Sequence, residues 1–176
     1  MSGAPAKRRR GRARQAPEPD LENILVRLER MIAQEKALRR ALEAFTDLPE
    51  WETAFDSTDP DVINLRVLPV KGNFEALVNH MCEIVKRSHR LAGLEPITRN
   101  RAVERYVRAV GDAGGLTERQ VDRLVELNVM RNRLQHASPD VAADEVWELA
   151  RALPRSLAGM RRKLLRWLAA SGHEVV

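Results

Sequence analysis

Apolar residues recur at steps of three and four along most of the chain, which is the spacing of one buried face of an α-helix. This pattern predicts a long helix over residues 19–45, with Asp20 as its N-cap. A second helix is predicted from about residue 73 to 92, and Gly93 occupies the position just beyond it. A shorter helix is predicted over about 99–110, before the sequence GDAGG. The helical period therefore accounts for most of this part of the chain.

The start of the next helix is marked by several signals in the sequence LTERQV. Thr117 suits the N-cap position, Gln120 suits the third helical position of a capping box, and Leu116 with Val121 suits a hydrophobic staple. The helix is predicted to end near Gln135. Its apolar residues form two stripes, so we expect two partners, its own bundle and a second copy of the chain. The stripes consist of Leu124, Leu127 and Leu134, and of Val121, Val125 and Val129.

The last helix is predicted to begin with Ser138 as N-cap and Pro139 at its first position. Pro154 is expected to kink it, because the ring removes one backbone hydrogen bond. Residues 46–72 contain three prolines and a terminal glycine, so they are predicted to form a long connection with one short helix around Trp51. The expected fold is all-α, an up-and-down bundle of four to five helices.

Composition supports a single helical domain over residues 19–172. Aromatic residues make up 4% and charged residues 31% of the 176 residues, a balance that favours helices over an aromatic-rich sheet. The single cysteine, Cys82, excludes an intrachain disulfide and favours a reducing compartment. No apolar run is long enough for a membrane span, and the residues after the basic N-terminus are too charged for a secretion signal. A cytoplasmic protein without membrane contact is therefore expected.

The net charge of +5 is concentrated at the N-terminus. Residues 1–17 hold six basic and no acidic residues, whereas the rest of the chain holds 24 basic and 25 acidic residues. Residues 1–18 are predicted to be a disordered tail, because they have too little apolar surface to bury. Phosphate contacts with nucleic acid are one interpretation of Arg8, Arg9 and Arg10. A solubilising extension is the other interpretation.

The sequence contains neither a glycine-rich phosphate loop nor a ligand-like spacing of its histidines and Cys82, so no metal or cofactor is expected. His80 and His89 are expected on exposed helix surface. The segment RNRLQH is the candidate for chemistry, since it places Arg131, Asn132 and His136 at the end of a helix. Asn132 and His136 share a face, whereas Arg131 and His136 lie about 140° apart. Basic residues at a helix C-terminus can also serve the helix dipole alone.

The segment RNRLQH resembles the R-x-x-x-x-H motif of HEPN domains, and its surroundings are most similar to the HepT group of toxin ribonucleases. The similar surroundings are HMCEIVKRSHRLAG, GGLTERQVDRLVELNVMRN and DEVWELARALPRSLAGMRRKL, so the resemblance covers about residues 73–168. Residues 1–20 and 46–72 are not covered.

The resemblance implies a homodimer in which Arg131 and His136 of both subunits line one basic cleft. It implies RNA cleavage without a metal, in which His136 takes the proton from a ribose 2′-hydroxyl. Arg131 would hold the scissile phosphate, Asn132 would position the phosphate or the histidine, and Arg133 is expected to contact RNA. A non-catalytic HEPN module that binds nucleotide, RNA or a protein partner is the alternative, and a purely structural helical adaptor is a third possibility.

One position departs from the family pattern. HepT proteins continue the motif as H-x-Y, but this chain has HAS, with Ser138 in the place of the tyrosine. In the family that tyrosine can be modified by a nucleotidyltransferase antitoxin. The resemblance therefore implies a nucleotidyltransferase-type antitoxin as a partner, but not control through this tyrosine.

Overall fold

The computed structural model describes residues 19–98, 102–136 and 140–174, and within these ranges every regular element is helical. The all-α prediction is confirmed, while the tail with Arg8, Arg9 and Arg10 lies outside the described residues. The elements are α1 (Pro19–Leu42), α2 (Leu48–Phe55), α3 (Pro60–Val62), a π-helical segment (Ile63–Val67), α4 (Leu68–Leu91), α5 (Val103–Asp112), α6 (Glu118–Gln135) and α7 (Ala143–Ala170).

Polar contacts between helices establish the antiparallel packing of α1 and α4. Near the start of α1, Asp20 accepts a hydrogen bond from Arg87, close to the end of α4, at 3.0 Å. Farther along α1, Gln34 donates to Asn73, close to the start of α4, at 2.6 Å. The two helices therefore run in opposite directions along their length.

The same reasoning orders the other long helices. On α6, Arg133 near the C-terminus pairs with Glu145 at the start of α7, whereas Gln120 near the N-terminus lies beside Gly159. On the other side of α7, Arg161 pairs with Glu35 of α1 at 2.6 Å. The helices α1, α4, α6 and α7 thus form an up-and-down bundle, with α5 packed against α4 and α6 and α2 against α7. The predicted helical bundle is confirmed.

The bundle core is built from the apolar faces predicted by the helical period. Its largest fully buried side chains come from all four long helices and from α2: Ile24, Met31, Leu38, Trp51, Phe74, Leu77, Met81, Ile84, Leu124, Leu127, Met130 and Leu153.

The connection predicted for 46–72 is mostly helical. The short helix around Trp51 is present as α2, but residues 60–91 form one continuous helical run. Asp59 caps this run by accepting from the backbone N–H of Asp61, and Pro60 takes an initial position, where its missing N–H costs nothing. Pro69 follows the π-helical segment. Proline has no backbone N–H to donate to the preceding turn, and the wider π-helical turn accommodates the missing hydrogen bond. The prediction of a non-helical connection is therefore wrong for residues 60–72, where Pro69 and Gly72 lie within the helical run.

Two predicted helix starts also differ from the structure. The helix expected from residue 99 begins at Val103, and the last helix begins at Ala143 with Ala142 as its N-cap, so Ser138 does not cap it. Ser138 and Pro139 lie outside the described residues. Arg133 donates to the backbone carbonyl of Asp140 and to the Glu145 carboxylate, so the end of α6 is bonded to Asp140 and to the first turn of α7. The helix continues through Pro154, and the kink there stays a prediction.

The caps of α6 and α4 agree with the sequence. Thr117 Oγ1 accepts from the backbone N–H of Gln120 at 3.3 Å, and the Gln120 side chain accepts from the Thr117 N–H at 3.0 Å, which completes the capping box. Gly93, just past α4, has a φ of 65°, a conformation that glycine adopts without strain.

Asp20 has a different role from the one predicted. It lies inside the first turn of α1, and its carboxylate accepts hydrogen bonds from Arg90 and Arg87 of α4. These bonds, that from Arg90 foremost, lower the pKa of Asp20. Asp20 therefore joins two helices through charge and does not cap one of them.

Replacing Asp20 by asparagine separates the two roles, because asparagine caps helices about as well as aspartate but carries no charge. We expect Asp20→Asn to lower the free energy of unfolding at neutral pH by up to about 1 kcal/mol. Because the pKa of Asp20 is lowered in the folded chain, this stabilisation is present above the ordinary aspartate pKa and is lost as the pH falls through the lowered value. Denaturant titrations at neutral and acidic pH measure it, and equal stability of both proteins at neutral pH contradicts it.

Candidate functional site

The RNRLQH segment occupies the last turns of α6, at the end of the bundle where α7 begins. The helix ends at Gln135, and His136 is its C-cap, with its backbone N–H donating to the carbonyl of Asn132 at 3.1 Å. The predicted position of the motif at a helix end is therefore confirmed.

Arg131 is directed toward α4. Its Nη1 donates to Oε1 of Gln135 at 3.0 Å, and its Nη2 donates to Oδ1 of Asn128 at 2.8 Å. The same Asn128 oxygen lies 3.8 Å from Sγ of the buried Cys82. The Nε of Arg131 is buried, and within the described part of the chain it has no hydrogen-bond partner. The guanidinium is thus held in place by its own helix at the contact with α4.

Glu75 of α4 completes this polar contact. Burial raises the pKa of Glu75, against a hydrogen bond from Gln135 and the positive charges of Arg131 and Lys71, which lower it. Burial also lowers the pKa of Lys71, whose Nζ lies 3.9 Å from the centre of the Phe55 ring. The carboxylate therefore lies among positive and amide groups at the motif end of the α4–α6 contact.

Cys82 has no reactive character in this position. Burial raises the pKa of its thiol to about 12, so the nucleophilic thiolate is scarce at neutral pH. Cys82 thus contributes packing and a weak contact with Asn128.

Asn132 and His136 lie on another side of α6. Both are exposed, and the helical period places them on the same face as Val125 and Val129. Val129 is 50% exposed and Val125 is half-buried, whereas Val121, from the same predicted stripe, is buried in the core. The second apolar stripe therefore emerges only toward the motif end.

The side chains of the motif therefore project from two different sides of α6. Arg131 donates to Asn128 and Gln135, on the side that faces α4, while His136 is exposed on the Val129 face, about 140° away. Within one protomer, the structure brings Asn132 and His136 to one face and does not bring Arg131 to them.

The guanidinium of Arg133 is bonded to residues at and just before the start of α7. Its Nη1 lies 3.1 and 3.0 Å from the two carboxylate oxygens of Glu145, and its Nη2 donates to the carbonyl of Asp140. Contact between Arg133 and RNA, which stays a prediction, would compete with these bonds.

The sequence did not identify four residues around Arg131. Asn128 and Gln135 lie three and four positions from it on the same helix, so helical spacing could have found them. Glu75 and Lys71 belong to α4, and only the register of α4 against α6 brings them to the motif. Asn128 and Gln135 bond to Arg131, and Glu75 lies close enough to it for their charges to interact, with Lys71 beside Glu75.

No second candidate site is found around His80 and His89 or among the metal-binding residue types in the described part of the chain. His89 is 2% exposed and packs edge-on against Tyr106, and His80 is half-buried beside Arg27, so their expected exposure is wrong. Among the described residues, no three His, Cys, Asp or Glu side chains converge as metal ligands. In the same residues, no helix combines the length and apolar character needed to cross a bilayer.

Comparisons of the chain with protein-family models, curated proteins and solved structures found no match. The relation to HEPN domains therefore stays a prediction, supported by the RNRLQH segment and its position at the end of α6.

Proposed function

We propose that this protein is a HepT-like HEPN ribonuclease that acts as a homodimer and cleaves RNA without a metal. The observation that carries the proposal is the divided motif. Arg131 faces α4, while His136 and Asn132 lie on an exposed face with the half-exposed Val129. A single protomer does not bring Arg131 and His136 together. Pairing two copies through their Val129 faces would place the RNRLQH segment of one copy beside that of the other.

In the proposed site, each side chain has a task suited to its chemistry. The imidazole of His136 accepts the proton of a ribose 2′-hydroxyl as that oxygen attacks the adjacent phosphorus. The bond from this phosphorus to the 5′-oxygen of the next nucleotide breaks, and the 5′-oxygen leaves as a hydroxyl after taking a proton from solvent or from the imidazolium. The guanidinium of Arg131 stabilises the negative charge that develops on the phosphate oxygens. Its two hydrogen bonds to Asn128 and Gln135 use one N–H of each Nη nitrogen, and each of these nitrogens carries a second N–H for a phosphate. Asn132 orients the phosphate or the histidine.

The proposed cellular role is that of a cytoplasmic toxin with an antitoxin partner, which the resemblance suggests as a nucleotidyltransferase. Ser138 stands where the modified tyrosine of the family would be. Control of this protein would therefore use another residue or direct binding.

Incubation of the purified chain with RNA in excess EDTA tests the proposed reaction. We expect cleavage to continue, with products that carry a 2′,3′-cyclic phosphate or its hydrolysis product. RNA that stays intact with folded, dimeric preparations across several structured and unstructured substrates would overturn the proposal of catalysis.

The proposed dimer can be tested by placing a charge on the Val129 face. We expect Val129→Glu to convert the dimer to a monomer and to abolish cleavage, because a buried carboxylate without a partner opposes association. Light scattering measures the mass, and thermal unfolding checks that the protomer still folds. Ile32→Glu on α1 is the matched control, since Ile32 is 51% and Val129 50% exposed. A dimer that survives Val129→Glu, or that Ile32→Glu disrupts equally, contradicts the proposed interface.

A non-catalytic module that binds RNA, nucleotide or a protein is the second candidate. Its support is the environment of Arg131, whose guanidinium already bonds two side chains and lies near the Glu75 carboxyl group. A negative charge at that position opposes the approach of a phosphate. Tight RNA binding by the dimer without any cleavage, unchanged in His136→Ala, would favour this candidate.

A further inference from the structure

The second half of the chain contains a strongly asymmetric run of charge. Between Glu148 and Glu174 there is no acidic residue, although the residues after 17 are nearly neutral as a whole. The same stretch has six basic residues, which are Arg151, Arg155, Arg161, Arg162, Lys163 and Arg166. All six belong to α7.

Four of these arginines form one stripe along the outside of α7. Arg151, Arg155, Arg162 and Arg166 are separated by four, seven and four positions, so they project from one face of the helix. All four are exposed, whereas the opposite face of α7 is buried in the bundle core. At 1.5 Å per residue, the stripe is about 22 Å long.

The stripe differs from the arginine that has a structural role on the same helix. Arg161 turns toward α1 and pairs with Glu35 at 2.6 Å, with only 16% of its side chain exposed. By contrast, the four stripe arginines form no ion pair with any residue in the described ranges. Their positive charge is therefore not neutralised by an acidic side chain in the part of the chain that the structure describes.

A surface groove of about 760 Å³ lies beside the C-terminal half of the stripe, between α7 and the start of α6. Gly159 leaves this groove open beside Gln120, because it presents no side chain there. The Nε of Arg166 donates to the carbonyl of Arg162 at 3.2 Å, which orients its guanidinium along the helix. The groove is lined by Thr117, Gln120, Gly159, Arg162, Lys163, Leu165 and Arg166.

We propose that this face of α7 binds the phosphate backbone of RNA without regard to sequence. A row of arginines that are not neutralised by acids matches the chemistry of a polyphosphate chain, since guanidinium donors pair with phosphate oxygens and release condensed counterions. The choice of RNA rests on the proposed function, whereas the affinity for a phosphate backbone rests on the stripe alone.

The face is less suited to other anionic partners. Among the described residues, α7 contributes none of the exposed large apolar side chains, which are Val26, Ile32, Leu65, Leu68 and Val129. Insertion into a lipid interface requires apolar residues beside the charges, and stable protein interfaces are centred on buried apolar or aromatic anchors. A nucleic-acid backbone requires neither.

The test is a charge reversal at two stripe arginines in the full chain. We expect Arg162→Glu with Arg166→Glu to weaken binding of a non-cleavable 2′-O-methyl RNA by about tenfold or more, and to make the dependence of the affinity on salt less steep. The matched control is Arg30→Glu with Arg40→Glu, which makes the same charge change at two exposed arginines of α1 and should weaken binding by less than about threefold. Thermal unfolding establishes that both double variants fold.

The experiment tests RNA binding by the stripe independently of RNA cleavage. Unchanged RNA affinity in the α7 variant, or an equal loss in the α1 control, overturns the proposal. Loss of binding to vesicles of anionic phospholipid with RNA affinity retained overturns it as well, in favour of a membrane. If the wild-type protein binds RNA without cleaving it and the α7 variant binds RNA more weakly, the proposed reaction is wrong and the proposed RNA-binding stripe is supported.

Discussion

Replacement of His136 by alanine is expected to slow RNA cleavage by roughly 10²- to 10⁴-fold, which is the usual contribution of a positioned general base. The effect should be confined to the rate. His136 is exposed, and its contribution to the end of α6 comes from its backbone N–H, which donates to Asn132. Alanine retains that bond, so we expect the free energy of unfolding and the dimer to change little.

The measurement is single-turnover cleavage in EDTA, with saturating protein, so that RNA binding does not limit the observed rate. His173→Ala serves as the control, because it removes an imidazole that follows the C-terminal end of α7, whereas the RNRLQH segment lies beside the N-terminal end of α7. A His136→Ala protein that cleaves at the wild-type rate would remove this residue from the reaction. A loss of stability of several kcal/mol would instead assign the loss of rate to folding.

Replacement of Trp51 by alanine is expected to have the largest effect on stability, a loss of about 3–5 kcal/mol. Trp51 is fully buried and packs against three aromatic rings. Its centroid lies 5.1 Å from that of Phe45 in an edge-on arrangement, 5.9 Å from that of Trp147 in a stacked one, and 5.3 Å from that of Phe55. Alanine would leave a cavity where α2 joins the bundle.

Trp51 also holds the start of α7. Its Nε1 donates to the carbonyl of Ala143 at 2.7 Å, so truncation removes a donor from a part-buried carbonyl at the first residue of that helix. Trp51→Phe keeps a six-membered aromatic ring but removes this donor together with the five-membered ring of the indole, and we expect the lost hydrogen bond to contribute about 1–2 kcal/mol to its cost. Equilibrium denaturation of both variants measures the difference. A loss below about 1 kcal/mol for Trp51→Ala contradicts the assigned packing role.

The sequence predicted those parts of the fold that depend on local chemistry. The helical period of apolar residues located α1, most of α4 and α6, because these helices bury one face against a single core. Thr117 and Gln120 form the predicted capping box, since its hydrogen bonds connect residues only three positions apart.

The errors arose where tertiary contacts override a local signal. Pro60 and Pro69 indicated a break, yet one begins a helical run and the other follows a π-helical turn. Asp20 has the residue type of a cap but bonds two arginines almost seventy positions away. Ser138 and Pro139 suggested a helix start, whereas α7 begins at Ala143, and Arg133 bonds the carbonyl of Asp140 just before it.

The residues of the candidate site and their relative directions on α6 were predictable from the sequence, but the partners of Arg131 on α4 were not. Helical geometry alone separates Arg131 from His136, and it places His136 with Val129 on one face. The partners of Arg131 on α4 depend on how two helices align, for which the sequence has no local signal. The position of Glu75 beside Arg131 therefore required the structure.

Mixing two inactive proteins tests most directly whether the site is shared between subunits. Arg131→Ala and His136→Ala dimers are dissociated, combined in equal amounts, reassociated and assayed for RNA cleavage in EDTA, with the mass checked by light scattering. If each site takes Arg131 from one subunit and His136 from the other, a mixed dimer contains one intact site. Activity should then return to about a quarter of the wild-type value, because half of the dimers are mixed. A mixture that exchanges subunits and stays inactive, although wild-type protein cleaves, would contradict the shared site.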